Sequence, residues 1–244
     1  MIDFTARFLK PSKILRIATF LQKKALLAAL IFFILGSYLS FFASPEDYQQ
    51  GSYVRFLYIH VPASWFALST YTTMAALSVV GFTFKIPTAH LLTRALSLPG
   101  SLLTCVSLLT GSLWGKVTWG TYWVWDARLT SMLVLFFIYS GYVCLTWKKP
   151  FHALHSASIL VMIGFVNIPI IKWSVEFWFT LHQPASIMRF AKPAIDSAFF
   201  PPLLCMSFAY LCYIIGLTAM IYKRDVKVVQ KTGSLLRERL GEAA

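Results

Sequence analysis

The chain is 244 residues long, 58% hydrophobic and only 13% charged, with a mean hydropathy of +0.67. A soluble fold of this size lacks the polar shell to cover so much apolar surface, so the composition indicates a membrane protein. A formal net charge of +13 would suit a nucleic-acid binder, but the charges are distributed as a topology signal, which argues against that class.

Six apolar stretches, each of about 19–24 residues, are long enough to cross a hydrocarbon core of roughly 30 Å as a helix. The first, 24–43, exceeds the roughly 7–15 residues of a signal-peptide core. Phe41 or Phe42 would also stand where cleavage after Ala43 or Ser44 requires a small residue, so this stretch reads as a retained anchor. The second, 62–84, is preceded by YIHVPASW, which places His60 at its outer end. The third, 96–114, contains Pro99-Gly100, and the fifth, 155–173, contains Asn167 and Pro169, so kinks are expected in both. The fourth and sixth are 129–147 and 199–222. The expected architecture is all-α: a single polytopic membrane domain over 1–244 with six transmembrane helices and outer loops at 44–61, 115–128 and 174–198. No internal repeat or low-complexity tract divides it.

Sixteen of the 22 lysines and arginines fall on the side of the two termini. The six on the other side are Arg55, Lys116, Arg128, Lys172, Arg189 and Lys192. Basic residues accumulate on the cytoplasmic side, so both termini are expected in the cytoplasm, where the excess can also hold anionic lipid headgroups. This topology puts His90, His152 and His155 on the inner side. His60 and His182 share the outer side with the connection WGTYWVWDARL at 119–129.

Cys105, Cys144, Cys205 and Cys212 all lie within the apolar stretches and read as small buried hydrophobes rather than a disulfide framework or zinc site. No C-x-x-C-H occurs, so the chain does not itself attach haem covalently.

The outer histidines and the aromatic connection form a chemically coherent set. Two imidazoles from separate segments can approach an iron from opposite faces. Indole rings stack on a flat tetrapyrrole, and arginine forks suit its propionates. Arg55 and Arg128 are on the correct side for that contact. Each residue also has a plainer explanation. Interfacial anchoring accounts for Trp65, Trp114, Trp147, Trp173 and Trp178 taken singly, but poorly for Trp119, Trp123 and Trp125 crowded into one loop. Asp126 suits the N-cap of the fourth helix, and Arg128 can snorkel to the interface.

The string WGTYWVWDARLTS resembles the tryptophan-rich WWD motif of membrane haem-handling proteins in cytochrome c biogenesis, and is most similar to the haem exporter protein C (CcmC) family. The resemblance covers essentially the whole chain, including YIHVPASW and VNIPIIKWSVEFWFTLHQP. It implies that His60 and His182 are axial haem ligands and that Trp114, Trp119, Tyr122, Trp123, Trp125 and Asp126 form the haem platform, with Arg55 and Arg128 as candidate propionate contacts. Tyr122, Phe177 and Phe179 stand where relatives often carry tryptophan, tryptophan and asparagine. The implied cargo is haem b, held non-covalently and transiently, then delivered at the periplasmic face of a bacterial inner membrane to the haem chaperone CcmE. The implied partners are the ATP-binding cassette subunits CcmA and CcmB and the small single-span CcmD. No G-x-x-x-x-G-K-[ST] occurs, which fits a non-enzymatic member of such a complex.

Two other classes compete. A b-type electron-transfer cytochrome subunit would hold its histidines within the helix bundle, whereas neither candidate here is mid-span. A secondary transporter would place ionisable residues at mid-membrane, yet the span centres are nearly free of them.

Overall fold

In hydrocarbon, backbone N–H and C=O groups find partners only within their own helix, so each long apolar stretch of this sequence winds as one. The computed structural model describes residues 10–147, 153–184, 186, 187, 189, 192 and 194–241, without the side chains of 153 and 233–241. Arg7, Lys148, Lys149 and His152 lie outside the described residues.

Helix α1 (Pro11–Tyr38) begins with a proline, whose missing N–H costs nothing in a first turn, and continues through a π turn at Leu39–Ala43. A 3-10 turn (Ser52–Arg55) leads into α2 (Phe56–Phe84). Helix α3 (Pro87–Trp119) is 33 residues long. It stops at Gly120, whose φ of 78° lies in the left-handed region open to glycine. Helix α4 (Ala127–Thr146) starts where the Asp126 carboxylate accepts from Leu129 N–H at 2.7 Å, the cap expected from the sequence. Helices α5 (Ala153–Gly164) and α6 (Asn167–Phe177) together make the fifth crossing. A 3-10 turn (Ser197–Phe199) then opens into α7 (Phe200–Gly241), 42 residues long.

Six helical segments are therefore long and apolar enough to span a membrane: Pro11–Ala43, Ser52–Phe84, Pro87–Trp119, Ala127–Thr146, Leu154–Phe177 and Ser197–Thr232. Most run past the apolar windows read from the sequence, because polar turns at a span end stay helical until a stop signal intervenes. His60 consequently lies in α2, and Trp114 and Trp119 in the last turns of α3. Among the described residues there is no strand, only one isolated bridge between Asp47 and Gly51.

The backbone differs at the two sites where kinks are expected. Around Pro99-Gly100, α3 remains an unbroken helix. Around Asn167 the fifth crossing is interrupted at residues 165 and 166, and Asn167 Nδ2 donates to the Ser131 carbonyl of α4 at 2.8 Å. Pro169 sits in the first turn of α6, where no intrahelical N–H is required.

Helix α1 packs antiparallel along α7. Ala18 shares a cluster with Tyr222 and Val226, so the two termini lie at one end of the bundle. Mid-bundle packing centres on Tyr71, Tyr139 and Tyr142, all fully buried. The Tyr71 and Tyr139 hydroxyls donate to the carbonyls of Val161 and Ala67 at 3.1 and 2.8 Å. Near the termini, His90 is buried with Nδ1 2.8 Å from Ser158 Oγ, and His155 stacks on Phe82 at 4.5 Å, polar and aromatic contacts that join α3, α5 and α2. The four cysteines are free thiols, but none is fully buried within the bundle as expected: Cys144 is exposed on it and Cys105, Cys205 and Cys212 are half-buried.

Gly100 leaves room for Tyr139: a Cβ there would stand 2.4 Å from the ring. Gly100→Val should lower bundle stability by about 1–3 kcal/mol through overpacking, read as a lower Tm of the detergent-purified protein. An unchanged Tm would contradict this packing.

Candidate functional site

The end of the bundle opposite the termini gathers the irregular backbone. His60 projects from the second turn of α2 toward α3, where its Nδ1 lies 3.0 Å from the Ser107 carbonyl and 3.2 Å from Thr110 Oγ1. The Thr110 hydroxyl donates to the Val106 carbonyl at 2.7 Å, so its proton is already committed. The ring proton of His60 therefore belongs on Nδ1, which donates to the Ser107 carbonyl, and Nε2 keeps its lone pair. A neutral imidazole oriented in this way is prepared to ligate a metal. Gly111 makes the close approach possible, since a Cβ there would stand 2.8 Å from His60 Cε1.

Trp114 meets the His60 ring edge-on, with centroids 5.8 Å apart. Its Nε1 donates to Gln50 Oε1 at 2.7 Å, tying the connection between α1 and α2 to α3. One helical turn further, Trp119 approaches the His182 ring at 6.2 Å and 61°. The last turns of α3 thus place one indole against each histidine, and the two imidazoles are within electrostatic range of one another.

His182 lies beyond α6 on non-helical backbone. Its Nδ1 is 2.9 Å from the Gln183 carbonyl and 3.1 Å from Arg128 Nη1. These contacts belong to different tautomers. With a proton on Nδ1 the ring donates to Gln183 and frees Nε2; with a bare Nδ1 it accepts from Arg128 and carries the proton on Nε2. Burial, and secondly the Arg128 guanidinium, disfavour the charged imidazolium. They outweigh the Gln183 carbonyl and the Asp126 carboxylate, so the His182 pKa falls below its ordinary value.

Arg128 spends its remaining donors on α6: Nε on Ser174 Oγ at 3.3 Å, and Nη2 on the carbonyls of Ile171 and Lys172 at 3.4 and 3.3 Å. Arg55 likewise donates to the carbonyls of Ser40, Phe41 and Ser52, bracing the π turn of α1. Neither guanidinium is idle. Asp126 is also fully engaged: one oxygen caps α4, and the other accepts from the Thr180 hydroxyl.

The rest of the aromatic connection splits into an inner and an outer part. Trp123 is half-buried and packs edge-to-face on Trp125 at 5.5 Å. Its Nε1 is buried and has no hydrogen-bond partner. Trp125 is 78% exposed and Tyr122 is exposed beneath Lys116, so both form an outer aromatic rim. Phe177 and Phe179 are exposed as well.

Several of these partners were not visible as functional residues in the sequence. Ser107, Thr110 and Gly111 are small or polar residues at helical spacing inside an apolar span, the one signal that could have marked the face of α3 receiving His60. Gln50, Ser174 and Thr180 carried no signal.

The family model for "Heme exporter protein C" matches residues 4–237. The chain belongs to that family. Among its relatives, Heme exporter protein C of Bradyrhizobium diazoefficiens is 42% identical over 211 residues, covering 83% of this chain and 80% of that protein. Heme exporter protein C of Escherichia coli K12 is 40% identical over 207 residues, 84% of this chain and 83% of its own length. A putative cytochrome c biosynthesis ccmC-like mitochondrial protein of Marchantia polymorpha is 44% identical over 189 residues, 78% of this chain and 80% of that protein. The family is one of membrane haem-handling components, not enzymes.

The lowered pKa of His182 has a direct consequence. At pH 6.5 a free histidine is about half protonated, whereas the neutral form of His182 should predominate. Nitrogen-15 NMR titration of the haem-free protein in micelles reads this state, and an imidazolium at pH 6.5 would contradict the environment described.

Proposed function

We propose that the chain collects haem b non-covalently between His60 and His182 and presents it for handover to a haem chaperone in cytochrome c maturation. The observation that carries this reading is the His60 ring, whose Nδ1 proton is committed to Ser107 so that Nε2 is left as a ligand. The orphan Trp123 Nε1 supports it, because a haem propionate is an acceptor that this buried donor lacks. Trp114 and Trp119, one against each histidine, supply flat apolar walls for the macrocycle.

The basic excess on the side of the termini supports a cytoplasmic location for both, which puts the site at the periplasmic face of a bacterial inner membrane. The exposed rim of Trp125 and Tyr122 offers aromatic surface to a docking protein, and the family resemblance supports CcmE in that role. CcmA, CcmB and CcmD complete the proposed complex. The missing phosphate-binding loop leaves ATP hydrolysis to the cassette subunits.

Binding for transfer requires one firm and one releasable contact. His60 is fixed within a helix and held by a second helix; His182 is carried by a connection whose backbone can shift without disturbing a span. This arrangement favours handing haem on over retaining it for electron transfer.

His60→Ala and His182→Ala should each reduce haem recovered with the purified protein about tenfold or more, measured by absorption spectra at equal protein concentration. Wild-type-like spectra in both variants would refute the ligand assignment.

A further inference from the structure

The weakly anchored ligand has a strut. The Thr180 hydroxyl donates its proton to the Asp126 carboxylate and accepts from the His182 backbone N–H at 3.1 Å. Both capacities of one hydroxyl are thus used, one toward the start of α4 and one toward the His182 backbone. The other Asp126 oxygen is fixed by capping Leu129, so the carboxylate is a rigid anchor at the end of the aromatic connection. From the same turn of α4, Arg128 reaches the His182 ring while gripping the end of α6. Arg128 thus holds the ring only in the tautomer with an unprotonated Nδ1, whereas Thr180 holds the backbone in either tautomer.

We infer that Thr180 is a positioning residue that ties the His182 backbone to the aspartate of the aromatic platform, so that the second axial ligand and the platform hold haem as one unit and part when this strut opens. The inference rests on the reading of His182 as a ligand. Side-chain chemistry makes it specific. Valine matches threonine in shape but can neither donate to Asp126 nor accept from His182; serine can do both. A residue serving only as packing would show the opposite order, with valine preserved and serine impaired.

The test uses the full-length purified protein with Thr180→Val, Thr180→Ser and, as a variant that cannot overpack, Thr180→Ala. Without haem, hydrogen–deuterium exchange is followed in peptides covering residues 178–184. With haem, its loss to excess apomyoglobin is timed and the ferric spin state recorded. Thr180→Val and Thr180→Ala should speed exchange in the segment and accelerate haem loss roughly tenfold, as removal of a charge-assisted hydrogen bond predicts. Thr180→Ser should stay within about twofold of the native protein on both counts. Exchange and haem loss that remain native in the valine and alanine variants would overturn the strut. So would faster exchange with no change in haem loss, because the strut would then not position the ligand. His182→Ala separates the two levels. If it leaves the haem spectrum unchanged, the ligand reading falls and the inference with it. If it abolishes the spectrum while Thr180→Val is native, only the strut falls.

Discussion

The helical architecture of this molecule follows from the rule that backbone in hydrocarbon must bond to itself. That rule commits the apolar stretches to helices and, apart from the break at residues 165 and 166 in the fifth crossing, leaves irregular backbone to the ends of the bundle. A site needing side chains from several directions, with freedom to open, can be assembled cheaply only there. The end opposite the termini carries it: the second turn of α2, the last turns of α3, the capped start of α4 and the connection after α6 converge on two histidines.

The two histidines are not equivalent. His60 is locked by a helix on either side, with its proton placed by Ser107 and its ring admitted by Gly111. His182 lies outside the helices and depends on mutually exclusive contacts from Arg128 and Gln183. A holder that must also let go benefits from this asymmetry, since the energy of the weaker anchor sets the release rate. Arg128 belongs to the same logic. Its fork is divided between α6 and His182, so it acts first on protein geometry, whatever it contributes to a bound propionate.

Much of this was legible in the sequence, for identifiable reasons. Apolar length revealed six crossings, because burial in lipid leaves a long uninterrupted signal. The aspartate after the tryptophans reads as a helix cap, and it is one. Helix ends were less legible: Trp114, Trp119 and His60 lie inside helices because polar turns keep winding beyond the apolar window. Least legible were the partners of the histidines. Ser107, Thr110 and Thr180 act through a carbonyl or a hydroxyl brought close by packing between distant segments, and no local pattern announces such a meeting. At Pro99-Gly100 the helix is continuous, and Gly100 has the further role of admitting the Tyr139 ring.

The central claim is that Nε2 of both histidines faces one iron. Low-temperature electron paramagnetic resonance of the ferric haem-loaded protein tests it most directly. Two imidazole ligands predict a low-spin ferric signal that is lost on replacing either histidine. A high-spin signal in the native protein, or a low-spin one surviving both replacements, would contradict the account.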